Sequence, residues 1–323
     1  MLYISLFLAA FAALAVGQEE EFVPAPGVFP VKGDNTIIGG IFASGHDEMM
    51  SLYPTFPVPT PGPEAPAPGS GVLTQGSGPY PAKMYTDPTL PNHTVYAPIN
   101  CPRNVKMPFL SWANGDCAMD GATYRYFLTE VASWGYVIAA DGIPGGINGT
   151  LSFVHHSRES VDWAMSGGAS KYGKIDRNKI AATGHSCGGL EALSMAYHDE
   201  RVKQILMFDI GIFSDTRRYL LQEIKVPIAW FMGGLLDLGY VLAEKDYPLT
   251  RPGVPAFKAN LDAGHYGTFQ ATNGGKYAKA AVAYLQWQFR HDHASKEICT
   301  NPSYPNSLVS QNWEVVFKNY NGV

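Results

Sequence analysis

Thr183-Gly184-His185-Ser186-Cys187-Gly188-Gly189 lies between a short apolar run, Lys179-Ile180-Ala181-Ala182, and a helix-forming segment, Leu190-Glu191-Ala192-Leu193-Ser194-Met195-Ala196. Strand, sharp turn and helix, with Gly-x-Ser-x-Gly at the turn, is the pattern of a nucleophile elbow. There a strained turn lifts a serine hydroxyl clear of a sheet. Glycine at the two flanking positions fits, because only glycine lets helix and strand approach so closely. The motif also arises by chance, so its meaning depends on what the remaining residues supply.

A serine hydroxyl is a poor nucleophile near neutral pH. It needs a histidine base, and the imidazole needs an acid to hold its tautomer. On a strand–elbow–helix scaffold the chain order is serine, acid, histidine. Only His198, His265, His291 and His293 follow Ser186. The elbow's own helix carries His198 away from the turn, and His291 and His293 fall in a charged stretch past the closing helix. His265, in Asp262-Ala263-Gly264-His265-Tyr266-Gly267-Thr268, occupies a glycine-flanked loop between the last apolar run and the last helical one. It is the expected base, and His185 is expected to pack beneath the elbow. The acid should end a strand between Ser186 and His265. Asp237 follows the run that starts at Val226, and Asp209, after the preceding run, is the alternative. Asp215, Glu223, Glu244 and Asp246 read as surface charges. Asp262 is too close to His265 in sequence to reach around to it.

An oxyanion needs two preorganised donors. The N–H of Cys187, directly after the nucleophile, is one. The loop Asn114-Gly115-Asp116-Cys117 should supply the other, with Gly115 and Asp116 both candidates. The chain has four cysteines, Cys101, Cys117, Cys187 and Cys299. Two of them, Cys117 and Cys187, fall in segments that must converge on one oxyanion, so they are expected to pair, leaving Cys101 for Cys299.

Around this centre, apolar runs alternate with helical ones. Strands are expected at His93–Pro98, Val105–Trp112, Tyr136–Ala140, Gln204–Phe208 and Val226–Met232, with a last strand starting at Val254. Helices are expected after Asp120 as N-cap, over Glu159–Met165 and over Tyr277–Arg290. Such alternation predicts an α/β fold, a mostly parallel central sheet with helices on both faces. Residues 72–323 are expected to form that domain, with a C-terminal tail from about 296. Trp112, Trp230 and Tyr266 are candidate aromatic walls, although buried aromatic residues are more often plain core. The glycine-rich stretch Gly142–Ser152 is a candidate lid.

Of the 323 residues, 46% are hydrophobic and 16% charged, so the chain can build a core without depending on disulfides. A formal charge of -5 and the absence of any Lys/Arg run argue against nucleic acid or an anionic membrane surface as partner. Leu2 to Val16 is apolar and ends in Ala15-Val16-Gly17, which predicts a cleaved secretory signal over residues 1–17 rather than stable membrane insertion. Residues 18–71 are rich in proline and glycine and are read as an extended arm or linker. Asn92-His93-Thr94 and Asn148-Gly149-Thr150 are glycosylation sequons, in keeping with export.

Gly78-Pro79-Tyr80-Pro81-Ala82, His93-Thr94-Val95-Tyr96, Trp112-Ala113-Asn114-Gly115-Asp116-Cys117, the elbow, Gly233-Gly234-Leu235-Leu236-Asp237 and Gly264-His265-Tyr266-Gly267-Thr268 resemble secreted fungal and bacterial α/β-hydrolases. These are the relatives grouped with dienelactone hydrolases, chlorophyllases and cutinase-like polyester hydrolases. The resemblance spans about Gly78 to Asp292. It implies an α/β-hydrolase fold, a Ser186–Asp237–His265 triad, and neither metal nor organic cofactor, but it is a poor guide to substrate. The site residues are read as those of a serine hydrolase acting on an ester substrate through an acyl-enzyme. Dienelactone hydrolases use a cysteine nucleophile where this chain has Ser186, so that activity does not transfer. A thioesterase or peptidase, or a secreted binding protein that keeps the motif, are the rival readings.

Overall fold

The computed structural model describes residues 40–42, 60–101, 105–146 and 150–320. The expected signal peptide, most of the expected arm and Asn148 lie outside them. Nine strands form one sheet: β1 (Ala82–Thr86), β2 (His93–Pro98), β3 (Lys106–Ala113), β4 (Val137–Asp141), β5 (Lys174–His185), β6 (Val202–Phe208), β7 (Ile228–Met232), β8 (Ala256–Asn260) and β9 (Glu314–Lys318). Their order is β1-β2-β4-β3-β5-β6-β7-β8-β9. From β4 to β8 all neighbours are parallel. β1, β2 and β9 join antiparallel at the two margins.

Helices α1 (Arg125–Ser133), α5 (Gly275–Arg290) and α6 (His293–Thr300) cover one face, and α2 (Val154–Ser166), α3 (Cys187–Ala196) and α4 (Tyr240–Asp246) cover the other. Side chains alternate across a strand, so a strand buried on both faces feeds two cores. In β6, Ile205 and Met207 join the α2/α3 core while Leu206 and Phe208 join the α1/α5 core. β7 repeats the alternation, with Trp230 on the first side and Phe231 on the second. The molecule is thus a three-layer α/β structure with a mostly parallel sheet.

The two-faced core explains why one expected pairing is not made. Cys101 packs against the α2/α3 core and Cys299 is buried in the α1/α5 core, so the sheet lies between them. Cys117 and Cys187 do form a disulfide, with Cα atoms 5.3 Å apart.

Three local expectations also change. Asp120 does not cap α1, whose N-cap is Tyr124; its carboxylate instead accepts the N–H groups of Ala122 and Gly145. The stretch expected as a tail contains α6 and then β9, which pairs with β8 from Ala256↔Lys318 to Asn260↔Glu314. Asp246 is no surface charge: it is fully buried, accepts the Ile212 N–H at 2.7 Å and pairs with Arg218 at 2.8 Å.

Candidate active site

In open parallel sheets, ligands bind at the carboxyl ends of the strands, where the connections change direction. Here the chain passes from β3 outward to β4 and then returns to β5 on the other side of β3. The loop after β3 and the turn after β5 therefore lie side by side at the carboxyl end of the sheet. Ser186 follows β5, Asp209 follows β6, Asp237 comes after β7, and His265 comes after β8.

Ser186 has φ 52° and ψ −125°, a conformation that a residue with a side chain normally avoids. Such strain costs on the order of 1–3 kcal/mol and persists only where the surroundings impose it. They do so here. Ser186 N–H donates to Phe208 O at 2.9 Å, and its carbonyl accepts the Gly189 N–H at 2.8 Å. The helix then runs close against the sheet: a Cβ on Gly188 would lie 2.2 Å from the Ala113 carbonyl oxygen, and one on Gly184 2.2 Å from that of Gly188.

The Ser186 hydroxyl donates to His265 Nε2 at 3.0 Å, and His265 Nδ1 donates to Asp237 Oδ1 at 2.7 Å. Backbone groups fix the carboxylate: Gly239 N–H donates to Oδ1 at 2.9 Å and Gly233 N–H to Oδ2 at 3.1 Å. All three side chains are buried, with only 6% of Ser186 accessible. The three residues chosen by chain order thus form one hydrogen-bonded line.

Asp209, the alternative acid, does not reach His265 Nδ1. It is fully buried, accepts the Tyr277 hydroxyl at 2.7 Å, and places Oδ2 at 3.5 Å from His185 Nε2. Burial, reinforced by the neighbouring charge of Asp237, pushes its carboxyl well above the usual carboxylate range.

Cys187 opens α3, so its N–H has no acceptor within the helix. The loop after β3 is stapled by Asn114. Its amide donates to Ala118 O and Asp141 O, both at 2.7 Å, and its carbonyl accepts the Trp112 indole N–H at 3.1 Å. Of the two donor candidates in this loop, Gly115 is excluded, because its N–H is spent on the Tyr124 hydroxyl at 3.1 Å. That leaves Asp116, held at φ 61° just before the tethered Cys117. Asp116 is exposed, and its charge is felt by His265 and Tyr266. Although its surface is open to solvent, the protein packed around the carboxyl raises it from the usual carboxylate range, and His265 partly offsets this.

Of the aromatic candidates, Trp112 and Trp230 are core, at 1% and 0% exposure, whereas Tyr266 is 57% exposed beside His265. His198 lies near Glu223, away from the triad, and His291 and His293 are exposed beyond α5. Asn92 is exposed.

The sequence does not reveal the polar layer beneath the triad. His185 Nε2–H donates to the His265 carbonyl at 2.7 Å, and Nδ1 accepts from the Tyr124 hydroxyl at 2.7 Å. Tyr124 and Tyr277 are distant in sequence and read as apolar helix positions. Nor does the sequence show that residues 60–80 follow the His265 loop. Glu64 N–H donates to Asp262 O at 2.9 Å, its carboxylate pairs with Lys276, and Val72 N–H donates to Thr272 Oγ1 at 2.9 Å. Among the described residues, no cluster of His, Cys, Asp and Glu is arranged to hold a metal, and no helix is long and apolar enough to cross a membrane. No family model matches the chain, and no curated protein matches it at a significant level.

Proposed function

We propose that this protein is a secreted serine hydrolase of the α/β-hydrolase fold that cleaves carboxylic esters through an acyl-enzyme. One observation carries the reading: a serine held at positive φ between strand and helix, hydrogen-bonded to His265, which is hydrogen-bonded in turn to Asp237. Ser186 Oγ attacks the ester carbonyl while His265 Nε2 takes its proton. The same proton then goes to the leaving alcohol. Asp237 holds the Nδ1–H tautomer and stabilises the imidazolium that forms. The N–H groups of Cys187 and Asp116 receive the developing oxyanion, each worth about 3 kcal/mol by comparison with donor deletions elsewhere. Water activated by His265 then releases the acid and restores the serine.

The Cys117–Cys187 disulfide supports the exported setting, since such bonds persist in oxidising compartments. The test is a series of nitrophenyl esters of increasing acyl length with wild type and Ser186→Ala, alongside labelling by a fluorophosphonate. Turnover and labelling at Ser186 in wild type alone are expected. Labelling without ester turnover would favour a thioesterase or peptidase. Turnover that survives in Ser186→Ala would refute the assignment of the nucleophile.

A further inference from the structure

His185, the second residue of the elbow, touches both halves of the site. On one side, Gly115 N–H donates to Tyr124 Oη at 3.1 Å, and the Tyr124 hydroxyl lies 2.7 Å from His185 Nδ1. On the other, His185 Nε2 lies 2.7 Å from the carbonyl oxygen of His265. The direction of each bond follows from the chemistry. A carbonyl can only accept, so Nε2 carries the proton. Tyr124 has spent a lone pair on Gly115 and gives its own proton to Nδ1. The line therefore runs in one sense, from Gly115 N–H through Tyr124 O–H and the His185 ring to the His265 carbonyl.

The geometry points to His185 as a positioning residue, a neutral imidazole that sets the distance between the oxyanion loop and the loop bearing His265. This inference rests on the reading of Ser186 as nucleophile. Gly115 belongs to the same arrangement. A Cβ there would fall 2.4 Å from His185 Nδ1 and 2.5 Å from Tyr124 Oη, so the loop backbone is pressed onto this pair. Asp116 follows immediately, and its N–H inherits its position from Gly115. On the other side, the His265 backbone is held at the carbonyl while its ring is held by Asp237. Two loops that come after β3 and β8 are thereby referred to one rigid ring that lies beneath the nucleophile.

The bridge requires an uncharged His185. An imidazolium would present a second N–H to the Tyr124 oxygen and force its proton elsewhere. The surroundings keep the ring neutral. It is buried, His265 lies with its ring centroid 5.0 Å away, and Phe269 covers it at 5.1 Å. Asp209 Oδ2 lies 3.5 Å from Nε2, beyond hydrogen-bond length, and burial pushes that carboxyl well above the usual range, which disfavours its charged form. Burial accordingly lowers the His185 pKa well below the ordinary range for histidine.

The arrangement makes positional demands. Oxyanion donors act at about 2.7–3.1 Å from the developing charge, and misplacement of a reacting group by about 1 Å costs on the order of a hundredfold in rate. Loss of the bridge should therefore appear in kcat more than in KM. Tyr124→Phe removes a single oxygen and should lower kcat about three- to tenfold with KM changed less than about twofold. His185→Phe removes both bonds and should lower kcat about ten- to a hundredfold. Tyr124→Phe should cost less in the His185→Phe background than in wild type, because the Tyr124–His185 bond is already gone and only the bond from Gly115 remains to be lost. A His185→Phe protein that does not fold leaves Tyr124→Phe to decide. Imidazole nitrogen spectra of the full chain, with His185 assigned through its shift in Tyr124→Phe, should show an Nε2–H tautomer unchanged from about pH 5 to 8. That reading needs no turnover, so it stands even if no ester is cleaved. An unchanged kcat in Tyr124→Phe, an Nδ1–H tautomer, or titration of His185 in that interval would overturn the inference.

Discussion

Cys117 and Cys187 are joined across 70 residues of sequence, and each directly follows a group that the proposed chemistry uses, Asp116 and Ser186 respectively. The bond therefore fixes the loop after β3 against the start of α3, where the two proposed oxyanion donors would converge. Closing a loop of this length should contribute about 4 kcal/mol through the unfolded state. Cys117→Ala/Cys187→Ala is expected to lower the melting temperature and also to reduce kcat with little change in KM. Thermal unfolding and steady-state kinetics separate the two effects. A variant that unfolds earlier yet keeps wild-type kcat below its transition would show that the bond serves stability alone.

Asp237 accepts from His265 and from two backbone amides, so its geometry is fixed. Asp237→Asn should preserve the fold and leave His265 able to take the opposite tautomer, lowering kcat by about 10⁴ by analogy with other triads. Asp209→Asn should lose far less. Comparing the two variants on one ester decides which carboxyl serves His265, and a larger loss at Asp209 would reverse the assignment.

Asp209 also imposes a pH dependence on stability. Its folded pKa is raised, so below its unfolded value both states hold the proton and nothing is lost. As pH rises through the unfolded value and towards the folded one, the unfolded chain ionises first and stability falls. Asparagine mimics the neutral acid, keeping an acceptor for Tyr277. Asp209→Asn should therefore gain stability relative to wild type as pH increases from about 4 to 8. Denaturant unfolding of both proteins across that range provides the measurement; a difference that stays constant with pH would mean that Asp209 is ionised when folded.

Asp116 is exposed, directly precedes Cys117, and its charge is felt by His265 and Tyr266. It should favour esters with cationic or hydroxyl-bearing groups over anionic ones. Asp116→Asn is expected to raise kcat/KM for anionic esters about three- to tenfold relative to cationic ones at low ionic strength, and the shift should shrink with added salt. An equal response of both ester classes would assign Asp116 a purely backbone role.

The elbow, the parallel strands and the order Ser186, Asp237, His265 are legible because each is encoded locally, by an apolar run and the turn that ends it. Asp246 misleads for the opposite reason. Its partners Arg218 and Ile212 come from other elements, so nothing beside it in sequence marks it as buried. β9 is hidden because an edge strand is half-exposed, with Val316 and Phe317 at 44% and 43%, and lacks the continuous apolar run of the central strands. Cys101 and Cys299 look like a pair only while the sheet between them is unseen. His185 reads as filler beside a serine, because its function lies in bonds to residues 61 and 80 positions away.

Ile41 and Phe42 are 2% and 0% exposed in the α2/α3 core, and Arg217 donates to the Ile41 carbonyl at 2.8 Å. Farther along, residues 60–80 lie on the His265 loop and on α1, where Gly78 N–H meets Ser133 Oγ at 3.0 Å. Any minimal version of this protein made by cutting at the first residue that looks domain-like, near Gly78, would discard both sets of contacts. It would open a hole where two large side chains were seated, each worth about 1.5–3 kcal/mol of burial. It would also leave the loop that carries the base without its outer wall. For recombinant work, residues 40–42 and 60–80 belong with the folded unit, and a tag or fusion belongs upstream of Gly40.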